Sequence, residues 1–309
     1  MSDQHISSDA IERRRFWVSE IVKISGTFDD DSTRVESELM SEVEKFGLPS
    51  LLDHLRLCGD IPESYGHDTS EEKLYSKYTD ILLAVAFRQI GLQSLVLTER
   101  ADVADVEVIG NGYDFVADAK AFRLSRTAKN QKDFKIQAMD GWKHGKKYAV
   151  LVAPLYQLPN RSSQIYQQAI ARDVCILSYS HLAILLRYGA EEGSEAAQEL
   201  LVQVLQEISR LNPSKDSYAY WRAVNERMLG AGKLVEDLWK IEKQVTLESI
   251  AAAKEEGLRY LAEERARIMK LSRDEAIRQL IDVHKLDNRE RQIRNVADTG
   301  LLDVRTMMD

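Results

Sequence analysis

Asp105, Asp118 and Lys120 are the side chains of this sequence whose types and spacing can do chemistry together. Between them lie two apolar-rich runs, Val106-Glu107-Val108-Ile109 and Asp114-Phe115-Val116-Ala117, joined by Gly110-Asn111-Gly112. Glycine and asparagine accept positive φ cheaply, so the three central residues predict a tight turn. An antiparallel hairpin sets the start of one strand beside the end of the other. Two carboxylates and an ammonium then converge although 12 residues separate Asp105 from Asp118. Lys120 shares a strand face with Asp118, because positions i and i+2 point the same way. Magnesium prefers one or two carboxylates together with waters and substrate phosphate oxygens, so this group suits water attack on a phosphodiester. The Ala119 carbonyl offers a further metal ligand. Lys120 can hold the attacking water or stabilise the negative charge that develops. Glu72, in the first turn of the preceding predicted helix, can add a carboxylate to the metal or its water shell. Glu99 is a nearby acid that no spacing orients. Taken singly, a D-x-K after an apolar run is a salt-bridging strand end, Asp105 a solvating cap and Glu72 a helix-dipole acid. Only the joint arrangement points to an active site.

Charge location supports the same chemistry. The 309 residues carry a net charge of -8, yet nine Lys/Arg face only two acids between Lys120 and Val150. That window is +7, which leaves -15 on the rest of the chain. A basic face beside a metal-type cluster fits a polyanionic partner. With 44% hydrophobic and 30% charged residues the composition is that of a soluble globular protein. No apolar run is long enough for a bilayer, and the first residues lack the apolar stretch of a secretory signal, so the expected location is the cytoplasm, without a membrane partner. Cys58 and Cys175 are expected as buried reduced thiols. Scattered histidines give no zinc spacing. The Gly141-to-Lys147 string is one residue short of a phosphate loop, and Gly110-x-Gly112 leads into a strand, not a helix.

Helical spacing covers residues 9 to 24 and 33 to 46. Asp68-Thr69-Ser70-Glu71-Glu72 predicts a helix start, and Gly91 its stop. A short strand at Leu95-Val96-Leu97 precedes the hairpin. Ser125 or Thr127 is expected to cap a helix reaching about Met139. Continuous apolar runs at 148 to 153 and 174 to 177 predict strands covered on both faces, with helices at 162 to 171 and from Ser180 to near Gly189. The order α-β-β-β-α-β-α-β-α gives an α/β core with a mixed sheet. From residue 194 the sequence is amphipathic helix, expected to pack on the core or to dimerise.

At these residues the chain resembles the PD-(D/E)xK nuclease superfamily and, more narrowly, the HindIII restriction endonuclease family. Glu72-Lys73-Leu74-Tyr75-Ser76-Lys77, Val116-Ala117-Asp118-Ala119-Lys120 and above all FRLSRTAKNQKDFK from Phe122 to Lys135 carry the likeness, which spans roughly residues 68 to 190. Ala104 stands where the superfamily name has proline. The resemblance implies a restriction-endonuclease-like fold, with an N-terminal helical region at 1–67, the nuclease core at 68–190 and a helical C-terminal region at 191–309. It implies a type II enzyme that cuts double-stranded DNA at a palindrome, AAGCTT by the likeness of 122 to 135. The enzyme would act as a magnesium-dependent homodimer leaving 5'-phosphates, beside a cognate DNA methyltransferase that protects the host. Asp118 and Lys120 take the D-x-K roles and Asp105 the first acid. The DNA-facing set is Arg123, Ser125, Arg126, Lys129, Asn130, Lys132, Asp133 and Lys135. Within it Asn130 suits adenine, Lys129 or Lys132 guanine, and Arg123 or Arg126 phosphates. A repair nuclease of the same superfamily and a DNA-binding protein without activity are the competing readings.

Overall fold

The computed structural model describes residues 5–97, 103–126 and 131–295. One compact unit extends to Gly257 and a second begins at Leu258. The first opens with three helices, α1 (Ser8–Ile21), α2 (Phe28–Phe46) and α3 (Leu48–Leu57), followed by α4 (Ser70–Gln89). Thr69 caps α4 by accepting from the Glu72 N–H, and Gly91 beyond its end takes φ +82°. From Tyr78 to Phe87 every residue of α4 is buried, so this helix is wrapped by the rest of the unit and not merely laid on it.

A five-stranded sheet follows in the spatial order β1 (Gln93–Val96), β2 (Val106–Ile109), β3 (Asp114–Ala119), β4 (Tyr148–Ala153), β5 (Val174–Ser178). The first three pair antiparallel, while β3, β4 and β5 run parallel. All residues of β4 and β5 are buried, the pattern of strands covered on both faces. Helix α4 packs on β1, β2 and β3; α5 (Ile136–Trp142) packs on β3 and β5, and α6 (Gln164–Ala171) on β5. The T-shaped pair Phe87–Phe115, 5.1 Å between centres, locks α4 to β3. Helices α7 (Tyr179–Glu192), α8 (Ser194–Arg210), α9 (Ser217–Leu229) and α10 (Lys233–Ile268) come next, then α11 (Arg273–Val283) and α12 (Leu286–Arg294). Among the described residues no helix is long and apolar enough to cross a membrane. Cys58 and Cys175 are both buried and unbridged.

Expected helix starts move: the one expected at 33 lies at Phe28, and the one at 162 lies at Gln164 with Ser163 as its cap. Ser178, not Ser180, caps α7: its hydroxyl accepts from the His181 N–H while the His181 ring closes a capping box. Of the helix expected from Ser125 or Thr127 to Met139, the described residues from Gln131 on form a 3-10 turn at Gln131–Phe134, a left-handed Lys135 at φ +49°, and the short α5. The Ser125 N–H and hydroxyl both donate to Glu63, at 2.8 and 2.7 Å. Thr127 lies outside the described residues.

The loop between α3 and α4 braces the chain that leaves β3. Phe122 N–H donates to the Gly59 carbonyl and Ile61 N–H to the Phe122 carbonyl. Gly59 is required here, because a Cβ would sit 2.6 Å from Pro154 Cβ at the end of β4. Beneath this brace the buried Arg14 guanidinium donates to Tyr75, to the Leu57 and Asp60 carbonyls, and to Glu256. Burial pushes the Asp60 carboxyl up to about 7, against the pull of Arg14 at 3.4 Å. A carboxyl raised on folding holds its proton more tightly in the folded form, so its stabilising share is full in acid and lost as pH climbs toward that value. Without metal, Tm is expected to fall by on the order of 5 °C between pH 5 and 8, and less in Asp60→Asn, as calorimetry would read. A flat profile in both proteins would contradict this.

Candidate active site

The hairpin register brings Asp105 to Asp118. Val106 pairs with Ala117, so Asp105 and Asp118 are the next cross-strand neighbours, on one face of the ribbon at its open end. A third carboxylate joins them. Asp80, on α4, accepts a hydrogen bond from the Ala119 N–H at 3.2 Å. Asp80, Asp105 and Asp118 each present a carboxylate oxygen within 4.8 Å of the other two. Lys120 lies against Asp118, its Nζ 2.7 Å from Oδ1 and 2.5 Å from Oδ2. The backbone of Lys120 is fixed at both ends, its N–H donating to the Val152 carbonyl at 2.7 Å and its carbonyl accepting from the Tyr179 hydroxyl at 3.0 Å.

Burial governs the electrostatics. Asp118 is 1% exposed and Asp80 4%. Burial first, then the charges of Asp105 and Asp118, push the Asp80 carboxyl well above the ordinary range. Asp105 is raised by burial and by Asp118, while Lys120, Lys135 and Lys77 pull the other way. Burial alone would depress the Lys120 ammonium, but Asp118, Asp105 and Asp80 together lift it. In the metal-free site the three carboxylates thus favour the charged form of Lys120, suited to donating hydrogen bonds to oxyanions. Three carboxylates against one ammonium leave a local deficit of two positive charges when all are ionised, which one divalent cation matches. Asp118 Oδ2 is buried with the Lys120 ammonium as its charged neighbour, and its remaining lone pair is open to a hard cation. The donor set fits a Mg²⁺-type ion held by oxygens alone.

Glu72 is not brought to this cluster. It lies eight residues before Asp80 on α4, about 12 Å along the axis. Its carboxylate accepts from Arg123 Nη1 and from the Asp68 N–H, both at 2.7 Å, and neighbours the exposed His67. Arg123 also donates to the Tyr65 and Gly66 carbonyls, so this side chain clamps the loop before α4. Ser125 is bound to Glu63 as described, and exposed Arg126 pairs with Asp133 at 2.5 Å. Lys135 is exposed, its ammonium 5.5 Å from the centre of the Trp142 ring. Lys132 lies within the 3-10 turn. Lys129, Asn130 and Glu99 lie outside the described residues.

Asp80 was not singled out from sequence, although one signal marked it. Between Lys77 and Arg88 it is the only charged residue, in the stretch YTDILLAVAF. An ionisable group amid a fully apolar helix needs a partner or a role. Which strand it meets depends on how α4 docks, which the local pattern does not contain.

Comparison with known proteins extends the resemblance well beyond the core. The sequence profile of the HindIII restriction endonuclease family matches residues 14–297, taking in the N-terminal helices and most of the helical tail. The type II restriction enzyme HindIII of Haemophilus influenzae (strain ATCC 51907 / DSM 11121 / KW20 / Rd) is 37% identical over 222 residues, 71% of this chain and 72% of that protein.

Proposed function

Because the chain belongs to the HindIII restriction endonuclease family, we propose that it is a type II site-specific deoxyribonuclease that hydrolyses double-stranded DNA at AAGCTT and leaves 5'-phosphates. The observation that carries this reading is the convergence of Asp80, Asp105 and Asp118 around Lys120 at the open end of the β2–β3 hairpin. Asp105, Asp118 and the Ala119 carbonyl would hold Mg²⁺ from the ribbon, with Asp80 as a fourth donor from α4. When bound, the ion supplies Lewis-acid polarisation of the scissile phosphate and a water of lowered pKa. Lys120 donates to the attacking water or to a non-bridging phosphate oxygen as its charge grows, and its doubly anchored backbone keeps that donor aimed. Arg126, Lys129, Asn130, Lys132 and Lys135 supply the DNA-facing set of the 122–135 segment, Asp133 orienting Arg126. Arg123 and Ser125 serve that segment by holding it to the loop before α4.

Two strands of a palindrome ask for two equivalent centres, so the working form is a homodimer in the cytoplasm, in a host whose own sites a companion methyltransferase protects. A repair nuclease of the same superfamily is the second reading. Supercoiled plasmid with a single AAGCTT separates them. The expected result is one linear product in Mg²⁺, with ends mapping inside that hexanucleotide, and none after chelation. Nicks scattered over the plasmid would favour the repair reading, and linear product cut elsewhere would overturn the assigned sequence.

A further inference from the structure

Beyond its charge pulling on Asp105, Lys77 has no role in the chemistry set out above, yet its backbone contact ties it to that carboxylate. It sits on α4 one turn before Asp80, half-buried, and its Nζ donates to the Leu97 carbonyl at 2.8 Å. The Leu97 N–H in turn donates to the Asp105 carbonyl at 2.9 Å. This bond adds a rung to the β1–β2 ladder beyond the Val96–Val106 pair, and Asp105 stands on it. Since β1 is an edge strand only four residues long, its last rung would fray without a tether. The α4 lysine provides one. A single helix thus approaches Asp105 twice, once with the Asp80 carboxylate beside it and once, through Leu97, with the Lys77 ammonium behind its backbone.

We infer that Lys77 is a positioning residue: through the Leu97 carbonyl it fixes the backbone of Asp105 and so sets the affinity of the three-carboxylate site for a divalent cation. This rests on the metal-site reading of Asp80, Asp105 and Asp118. The alternative roles for a lysine here move a metal titration differently. At a pH where Asp105 is already ionised, a cation acting only through its charge would repel the metal, so its removal would tighten binding. One that merely supports the fold would lower the metal-free Tm and leave the metal midpoint in place. Loss of a group that orients a ligand weakens metal binding by about 10- to 100-fold.

The test is thermal stabilisation of the full-length protein by Mn²⁺, without DNA, in wild type, Lys77→Met, Lys77→Arg and Asp118→Asn. Wild type is expected to show a saturable rise in Tm that Asp118→Asn abolishes. Lys77→Met should shift the Mn²⁺ midpoint upward by about tenfold, with Lys77→Arg within about threefold of wild type. DNA cleavage by Lys77→Met should recover at high Mg²⁺. A midpoint in Lys77→Met that is unchanged or lower overturns the inference. Absence of any Asp118-dependent shift in wild type would instead overturn the metal site itself. Lys77→Gln, neutral but polar, gives the same comparison should the methionine variant not fold.

Discussion

Asn in place of Asp118 is expected to lower single-turnover DNA cleavage by at least about 10³-fold, with duplex binding retained when Ca²⁺ replaces Mg²⁺. The change keeps the shape of a side chain that is 1% exposed but removes the charge at the centre of the cluster, against which Lys120 is held at 2.5 Å. Lys120→Ala should cost a similar factor by a different route. It leaves Asp118 without its counter-charge and removes the donor that meets the developing oxyanion. Gel-shift binding in Ca²⁺ beside rapid-quench cleavage in Mg²⁺ reads both variants. Cutting that persisted in both would remove Asp118 and Lys120 from the roles given to them.

Asp80→Asn should move stability and activity in opposite directions. In the metal-free protein Asp80 is a buried carboxyl facing two others, and burial together with those neighbours lifts it above the ordinary range. A neutral amide of the same shape relieves that repulsion, so the variant should be more stable in EDTA at pH 8, by on the order of 1–2 kcal/mol. The folded protein holds protons on Asp80 and Asp105 that the unfolded chain has already released. Metal-free stability therefore declines as pH rises from the ordinary carboxylate range through the raised values, and the Asp80→Asn substitution flattens this slope. With Mg²⁺ the ranking reverses, because one of the four proposed oxygen donors is gone and cleavage falls at least about tenfold. Calorimetry in EDTA and in Mg²⁺, each against pH, would show the crossing. A variant destabilised in EDTA and fully responsive to Mg²⁺ would exclude Asp80 from the metal site.

The contrast between Asp118 and Asp80 shows what was legible in the sequence. Asp105, Asp118 and Lys120 could be placed together because a hairpin converts local spacing into proximity, and the Gly110-Asn111-Gly112 turn declares the hairpin. The order of strands and helices in the core was legible for a similar reason: uninterrupted apolar runs at β4 and β5 announce buried parallel strands. Asp80 was hidden because its neighbours arrive by the docking of α4 on the sheet, a contact between residues 39 positions apart at Ala119. Glu72 carried a strong family-type context but lies two helical turns from Asp80, where Arg123 takes its carboxylate. Ser125 likewise has a distant partner, since Glu63 takes both donors of that serine from 62 residues away. Where a residue's partner was close in sequence the pattern revealed it, and where it was remote the pattern was silent.

The turn at Gly110–Gly112 sits at the far end of its ribbon from the chemistry, and it acts as a ruler for that chemistry. Only one count of residues between the two strands sets Asp105 across from Asp118. Because alternate side chains of a strand face opposite ways, one residue gained or lost in that reversal would turn one aspartate to the opposite side of the sheet while leaving every acid in the chain intact. The length of this turn is therefore constrained by the site at the opposite end of the ribbon.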